Sequence, residues 1–390
     1  MDRMSIHVAV IGGGVGGLCL AQGLKRAGVE VSVHERDRTP TDRLQGYRLH
    51  IDPHGSQALH DCLPPHLWER FVETAGFAAG FGFVDDRLTP LLTLDVPPAP
   101  AERAHHSVSR VTLREILLDG LDVHFDRRFT RYEHVDGRIT AHFADGSTVR
   151  CDVLVGADGA NSAVRAQYLP HARRIDTGIT AVAGKLPLDD HTRAWLSRQV
   201  LDNPLSVIPR SAAGMFLAPH VLDGDGYLMW AYAADGLTTS GDLKAVVAQA
   251  IADWHPDLRR IVGETPAAEV AHWPIRTSEP VAPWRPTTVT LLGDAIHSMT
   301  PMRGIGANTA LRDARLLCRN LVERAPLDAI ADYERQMRDY GFAAVKASLR
   351  SAKQFVSGNR AGKVAFKSVL RLFDAVPPLK RAAFREPSVD

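Results

Sequence analysis

The fold turns on the stretch His7-Val8-Ala9-Val10-Ile11-Gly12-Gly13-Gly14-Val15-Gly16-Gly17. Its first five residues are largely β-branched and alternate little, which predicts a short strand buried on both faces. Gly12, Gly14 and Gly17 then stand in G-x-G-x-x-G register. The first allows a tight turn, the second lets backbone approach a pyrophosphate, and the third lets the next helix pack on the sheet. That helix is expected from about Val15 to Ala27, with Gly28 as its C-terminal cap, and Val29 to His34 as a second strand. Strand, helix and strand in about thirty residues imply a right-handed parallel crossover. The helix opens at Val15 and Gly16, so its free N–H groups and positive dipole end face the phosphates. Glu35 ends the second strand eighteen residues after Gly17, where an acid accepts from ribose hydroxyls, and Arg36 follows it.

The rest of the chain is compatible with a globular protein that handles a small molecule. Its 390 residues, 45% hydrophobic and 23% charged, suffice for two or three domains. A net charge of +1 supplies no field to gather nucleic acid or an acidic membrane. Cys19, Cys62, Cys151 and Cys318 are far apart with no C-x-x-C pair, which opposes a disulfide framework or zinc ribbon and suits a reducing cytoplasm. The run Val8 to Ile11 is too short for a signal peptide, and no stretch approaches a membrane span. A cytoplasmic protein without membrane or nucleic-acid partners is expected.

Further along, Ser109 to Leu121 has helical apolar spacing and Val123 to Phe125 reads as a short strand. Ile139 to Phe143 and Thr148 to Cys151 flank Ala144-Asp145-Gly146-Ser147, a hairpin signal. Asp152 to Gly156 returns to a buried strand. Between about Ile175 and Pro274 the runs Ile179 to Leu186, Gly214 to Ala218 and Tyr227 to Ala233 suggest a separate antiparallel sheet, interrupted by a helix over about Asp242 to Trp254. Val289 to Gly293 is again a buried strand and Ala307 to Arg324 a long helix. The fold class is therefore α/β: a Rossmann-like dinucleotide-binding domain (1–75, 101–174 and 275–345), an inserted, mostly antiparallel β-sheet domain for substrate (76–100 and 175–274), and a basic C-terminal helical segment (346–390).

The glycine motif alone does not separate FAD from NAD. Two more segments bear on that choice. Cys151-Asp152-Val153-Leu154-Val155-Gly156-Ala157-Asp158-Gly159 runs a strand into a glycine-flanked acid. Val289-Thr290-Leu291-Leu292-Gly293-Asp294 repeats the logic before Met299-Thr300-Pro301-Met302-Arg303-Gly304-Ile305-Gly306-Ala307-Asn308 opens a helix. Such a helix start suits a second anionic locus, for example an isoalloxazine edge that becomes negative on reduction.

Together the three segments resemble the G-x-G-x-x-G, D-G and G-D motifs of the class A flavoprotein monooxygenases, such as para-hydroxybenzoate hydroxylase and the aromatic polyketide hydroxylases. The resemblance covers roughly residues 5 to 50, 105 to 170 and 275 to 330. It implies non-covalent FAD, with Glu35 on the adenosine ribose, Arg43 and Arg110 near ribose and pyrophosphate, and Asp158 with Gly159 serving FAD and NAD(P)H. Leu113 and Leu117 complete the R-x-x-L-x-x-x-L pattern that Arg110 begins. Asp294 would hold the ribityl and pyrophosphate region, and Pro301, Gly304, Gly306, Ala307 and Asn308 would border the flavin ring. The resemblance also implies the chemistry: NAD(P)H reduces FAD, O₂ adds at the flavin C4a, and the hydroperoxide passes one oxygen to an aromatic or enolic carbon. It assigns no catalytic acid or base. A reductase of the same fold, or an FAD protein templating a redox-neutral cyclisation, is the alternative.

Two positions depart from the pattern. Ile305 stands where many members have Gln, and Ala183 precedes Gly184 where several phenol and salicylate hydroxylases carry Arg. Trp230 and Tyr232 share one face of a strand, as do Met215 and Leu217, and Met215, Trp230 and Tyr232 are the candidate substrate walls beside the competing reading of ordinary core. With Ala183 uncharged, a bulky, neutral, polyketide-like aromatic is expected unless another arginine, such as Arg210, anchors an acid. His50, His54 and His60 do not share a helical face because of Pro53, so no metal site is expected. His297, beside Asp294, reads as an orienting residue rather than a base.

Overall fold

The computed structural model describes residues 6–42, 48–77, 80–220 and 226–384. The glycine motif sits in a five-stranded sheet whose order is Val289–Leu291, Val153–Gly156, His7–Ile11, Glu30–His34, Val123–His124. All four pairings are parallel, with Val10 opposite Val33 on one side and Val155 on the other. The central strand is closed to solvent on both faces from Val8 to Ile11, as its unbroken apolar run requires. The helix Val15–Arg26 ends on Lys25 and Arg26, cations suited to a C-terminus, and Gly28 takes the left-handed conformation just beyond it (φ 76°). That helix packs on Gly306–Glu323.

The expected hairpin forms between Arg138–Phe143 and Thr148–Cys151, with Ile139 opposite Cys151. It gains a third strand, Phe129–Val135, that the sequence did not announce. Six of that strand's seven residues are partly or fully exposed, so it carries no apolar alternation to read.

A seven-stranded sheet roofs this unit, in the order Val270–Ser278, Arg174–Pro187, Tyr227–Asp235, Ala213–His220, Leu205–Ile208, Gly80–Asp85, Pro90–Asp95. It is antiparallel except where Leu205–Ile208 runs parallel to Gly80–Asp85. One face is buried under two helices, Leu243–Ala250 and Pro256–Glu264. A single helix to Trp254 was expected. The chain instead turns after Ala250, and a second helix opens at Pro256, where proline suits the first helical position. A small sheet of Arg48–Ile51, His106–Ser109 and Gly76–Phe77 lies between the two units.

The C-terminal segment does not begin at 346. The helix Pro326–Phe355 runs unbroken through that position for 30 residues. Along its length it touches successive parts of the third motif. Tyr333 donates to the Leu291 carbonyl, Glu334 accepts from Thr290, and Ser348 donates to the Thr300 carbonyl. Its far end, Ala352, Phe355 and Val356, packs on Ile179, Ala181 and Ala233 of the roof. A further helix, Arg360–Ala375, lies on Pro90–Asp95 and is pinned by Lys363, which donates to the Ala213 carbonyl at 3.0 Å.

Candidate active site

The three motifs converge at the C-terminal ends of the parallel strands, where ligands bind in open α/β sheets. Gly12 has φ 112°, and a side chain there would collide with the Ala157 carbonyl, so the turn tolerates only glycine. Gly16 and Gly17 are buried against neighbours, whereas Gly14 and Val15 reach the surface, and a side chain on Gly14 would meet open space. Backbone is thus presented to a ligand at Gly14. Glu35 secures the loop: Gly13 N–H donates to one carboxylate oxygen at 2.5 Å and Asp37 N–H to the other at 2.9 Å. Arg36 is exposed beside it. Arg43 lies outside the described residues.

Asp158 accepts through Oδ2 from Ala163 N–H at 2.7 Å and from Val164 N–H at 3.3 Å. Its Oδ1 is closed to water and has no hydrogen-bond partner. An acceptor in that condition calls for a donor from a ligand. Gly159 beside it faces open space. Asp294 occupies the floor of the cleft, reached by solvent yet surrounded by protein. Burial raises its pKa, opposed by His297, Arg174 and Arg110. Arg110, the first residue of the helix Arg110–Leu118, is near enough to Asp294 to favour its charged form. Arg174 was not singled out from the sequence. It donates to Asn161 at 3.0 Å, while its Nε is buried and unpaired.

Beyond Asp294, Pro301 and Gly304 are exposed, and Gly306 and Ala307 half-buried, along one edge of the cleft. Asn308 is buried, and its amide is spent on protein: it accepts from Asp52 N–H at 3.0 Å and donates to the His50 carbonyl at 2.8 Å. It fastens the helix Gly306–Glu323 to the strand Arg48–Ile51. His297 is likewise structural. It bonds Asp313 Oδ2, which also receives Gly293 N–H at 2.8 Å, so the buried pair holds the turn that projects Asp294. Asp313 had a legible signal, a lone carboxylate among Ala310, Leu311, Ala314 and Leu317 on the buried face of its helix. Among the other histidines, His50 stacks on His105 with ring centroids 5.0 Å apart.

The proposed substrate walls are overturned. Met215, Trp230 and Tyr232 point away from the cleft into the core beneath the two covering helices, and Trp230 Nε1 donates to Thr265 at 2.8 Å. The cleft-facing set is one residue out of phase: Phe216 and Ala231 in one row, with Ala218 and Met229 in the next, while Phe83 at the outer end of the first row packs against the helix Arg360–Ala375. All of these retain partial exposure, whereas Ser206, between Phe83 and Phe216, is buried. Phe81 stacks with Phe216 at 6.3 Å, giving the roof an aromatic surface. Ala183 does lie on this face, opposite Ala231. Arg210 is exposed near Lys367 at the sheet's outer edge, away from the cleft.

An orphaned acceptor, open glycine backbone, two arginines near one acid that solvent reaches and an aromatic roof define a flavin-dinucleotide site. The chain belongs to the FAD binding domain family, whose pattern matches residues 5–348. It is 38% identical to a solved structure from Photorhabdus luminescens assigned as an FAD containing monooxygenase, with a TM-score of 0.82, covering 90% of this chain and 99% of that one. It is 28% identical over 337 residues to a 6-hydroxynicotinate 3-monooxygenase of Bordetella bronchiseptica, spanning 80% of this chain and 82% of the relative. A dual O-methyltransferase/FAD-dependent monooxygenase of Phaeosphaeria nodorum is 30% identical over 370 residues. The chain spans 80% of its own length in that match but only 40% of that relative.

Proposed function

We propose that this protein is an FAD-dependent monooxygenase that consumes NAD(P)H and O₂ and oxygenates a bulky aromatic small molecule. The observation that carries the reading is the cleft itself, with Asp294, Arg110 and Arg174 on its floor and Phe81, Phe216 and Met229 on its roof. FAD, when bound, supplies the redox chemistry and the activation of oxygen. The chain's own residues do the rest. Gly14 and the helix start at Val15 offer N–H groups to the pyrophosphate. Glu35 and Asp158 hold acceptors toward the adenosine side, and the exposed backbone at Pro301 and Gly304 borders the ring. The roof excludes water and sets a flat aromatic against the floor.

The relatives named above are monooxygenases, which supports this reading over a redox-neutral cyclisation. The 6-hydroxynicotinate in the name of one of them supports an aromatic substrate here. Among the described residues no helix is long and apolar enough to cross a membrane. All four cysteines are buried free thiols, which supports our placing the protein in the cytoplasm. The test is substrate-dependent NAD(P)H oxidation across a panel of phenols, hydroxy-aromatic acids and polyketide quinones under ¹⁸O₂. One labelled oxygen in the product is expected. Oxidation that yields only hydrogen peroxide with every compound would refute the proposal.

A further inference from the structure

Arg48 opens the strand Arg48–Ile51 on the flavin side of the cleft, and its Nη1 crosses to the roof to donate to the Pro219 carbonyl at 3.0 Å. The two residues are 171 apart in sequence. That single neutral acceptor is the only hydrogen-bond partner of its guanidinium among the described residues, and no carboxylate there lies within ion-pair distance of it. The side chain is largely enclosed, and burial depresses its pKa, partly offset by Tyr227. His220 sits beside it, its pKa lowered first by burial and then by Arg48 and Lys185. Lys185 lies over the Tyr227 ring at 5.3 Å, and that ring tilts against His220 at 4.8 Å.

A guanidinium has five N–H donors in a planar fork that matches a carboxylate or enolate oxygen pair. Enclosing it with one neutral bond is costly, and a merely structural tie between the units would not need the charge. The cation stands at the end of the apolar rows of the roof: Ala218 and Met229 lie one step in, then Phe216 and Ala231. We infer that Arg48 is the anchor for an oxyanion of the substrate, so that the protein takes an aromatic acid or acidic phenol whose ring lies on Phe216 and Met229. The inference rests on the proposed monooxygenase reading for the ring's position. It replaces the neutral substrate expected from Ala183, because the positive charge comes from the opposite wall.

The test titrates the FAD-loaded protein, without NAD(P)H, and follows the flavin absorbance. The probes are 3-hydroxy-2-naphthoate, its methyl ester and 2-naphthol. The acid should bind at least tenfold more tightly than the ester. In Arg48→Gln that preference should shrink to within twofold, with FAD content unchanged, and Arg48→Lys should restore part of it. A preference for 2-naphthol at high pH that also depends on Arg48 would assign the anchor to a phenolate rather than a carboxylate. Equal binding of all three probes by the unaltered protein, no saturable response to the acid, or loss of FAD in parallel with loss of acid binding would each overturn the inference. The wild-type comparison needs no variant to fold. Since no turnover is read, tight acid binding without oxygenation would remove the proposed function and leave the anchor, whereas oxygenation of acid and ester alike would do the reverse.

Discussion

His297 Nε2 lies 2.7 Å from Asp313 Oδ2, and both side chains are wholly shut off from solvent. Asp313 Oδ1 receives the Tyr340 hydroxyl at 2.5 Å, so one buried carboxylate organises a ring, a phenol and the Gly293 amide. Burial alone would lower the pKa of His297, but the attraction of Asp313 outweighs it, and the net shift is upward from 6.5.

From that relationship follows a pH dependence. A histidine with a raised folded pKa contributes stability fully present below its unfolded value near 6.5 and lost as pH rises through the folded value. Asp313→Ala strands the imidazolium and should cost about 3–5 kcal/mol. Asp313→Asn should cost less and remove this alkaline loss. Urea unfolding from pH 6 to 9 checks it, and an unaltered slope in Asp313→Asn would contradict the assignment.

Asp294 and Glu35 should fail differently. Glu35 holds Gly13 and Asp37 in the apoprotein, so Glu35→Gln should lower both melting temperature and FAD affinity. Asp294, whose carboxylate is disfavoured by burial, supports no backbone of its own among the described hydrogen bonds. Asp294→Asn should leave the apoprotein's melting temperature near wild type. It should weaken FAD binding by roughly tenfold or more, the scale of one hydrogen bond to a charged group. Flavin fluorescence on release and apoprotein melting measure the two effects. Full FAD retention in Asp294→Asn would count against its role.

The two faces of the roof should separate stability from recognition. Trp230→Phe removes a bond to Thr265 inside a packed core and should cost about 1–3 kcal/mol of stability with little change in substrate affinity. Phe216→Ala should do the opposite, raising KM or the dissociation constant several-fold. If Trp230→Phe changed affinity while Phe216→Ala did not, the phase assigned to these strands would be wrong.

Glu334 predicts a second pH dependence, at lower pH. It is buried, accepts from Thr290 at 2.9 Å, and burial raises its pKa to about 7. A carboxyl raised in the folded state favours folding when protonated. Its contribution is complete below about pH 4.5 and falls as pH rises through about 7. Glu334→Gln should flatten that fall, which amounts to something on the order of 3 kcal/mol. Thermal melts between pH 5 and 8 test it, and equal slopes in wild type and variant would refute it.

What could be read in the sequence was what is local along the chain. The glycine turn, the strands on either side and the acids Glu35, Asp158 and Asp294 each lie within a few residues of the signal that marks them. The wall residues failed for a different reason. In Tyr227–Asp235 both faces are uncharged until the last residue, so alternation gives a period without saying which phase meets the ligand. The larger side chains, Trp230 and Tyr232, went to the helices, and smaller ones face the cleft. Arg48 and Pro219, or His297 and Asp313, meet only through tertiary folding, and no spacing rule joins them. The strand Phe129–Val135 was hidden because it lies mostly in water.

The helix Pro326–Phe355, about 45 Å long at 1.5 Å per residue, touches Leu291, Thr290 and Thr300 below and Ala181 and Ala233 above. It works as a spacer bar whose length sets the headroom over the flavin. The contact of Arg48 with Pro219 lies further along the same strands, so the roof is tied to the flavin-binding unit at two separate points.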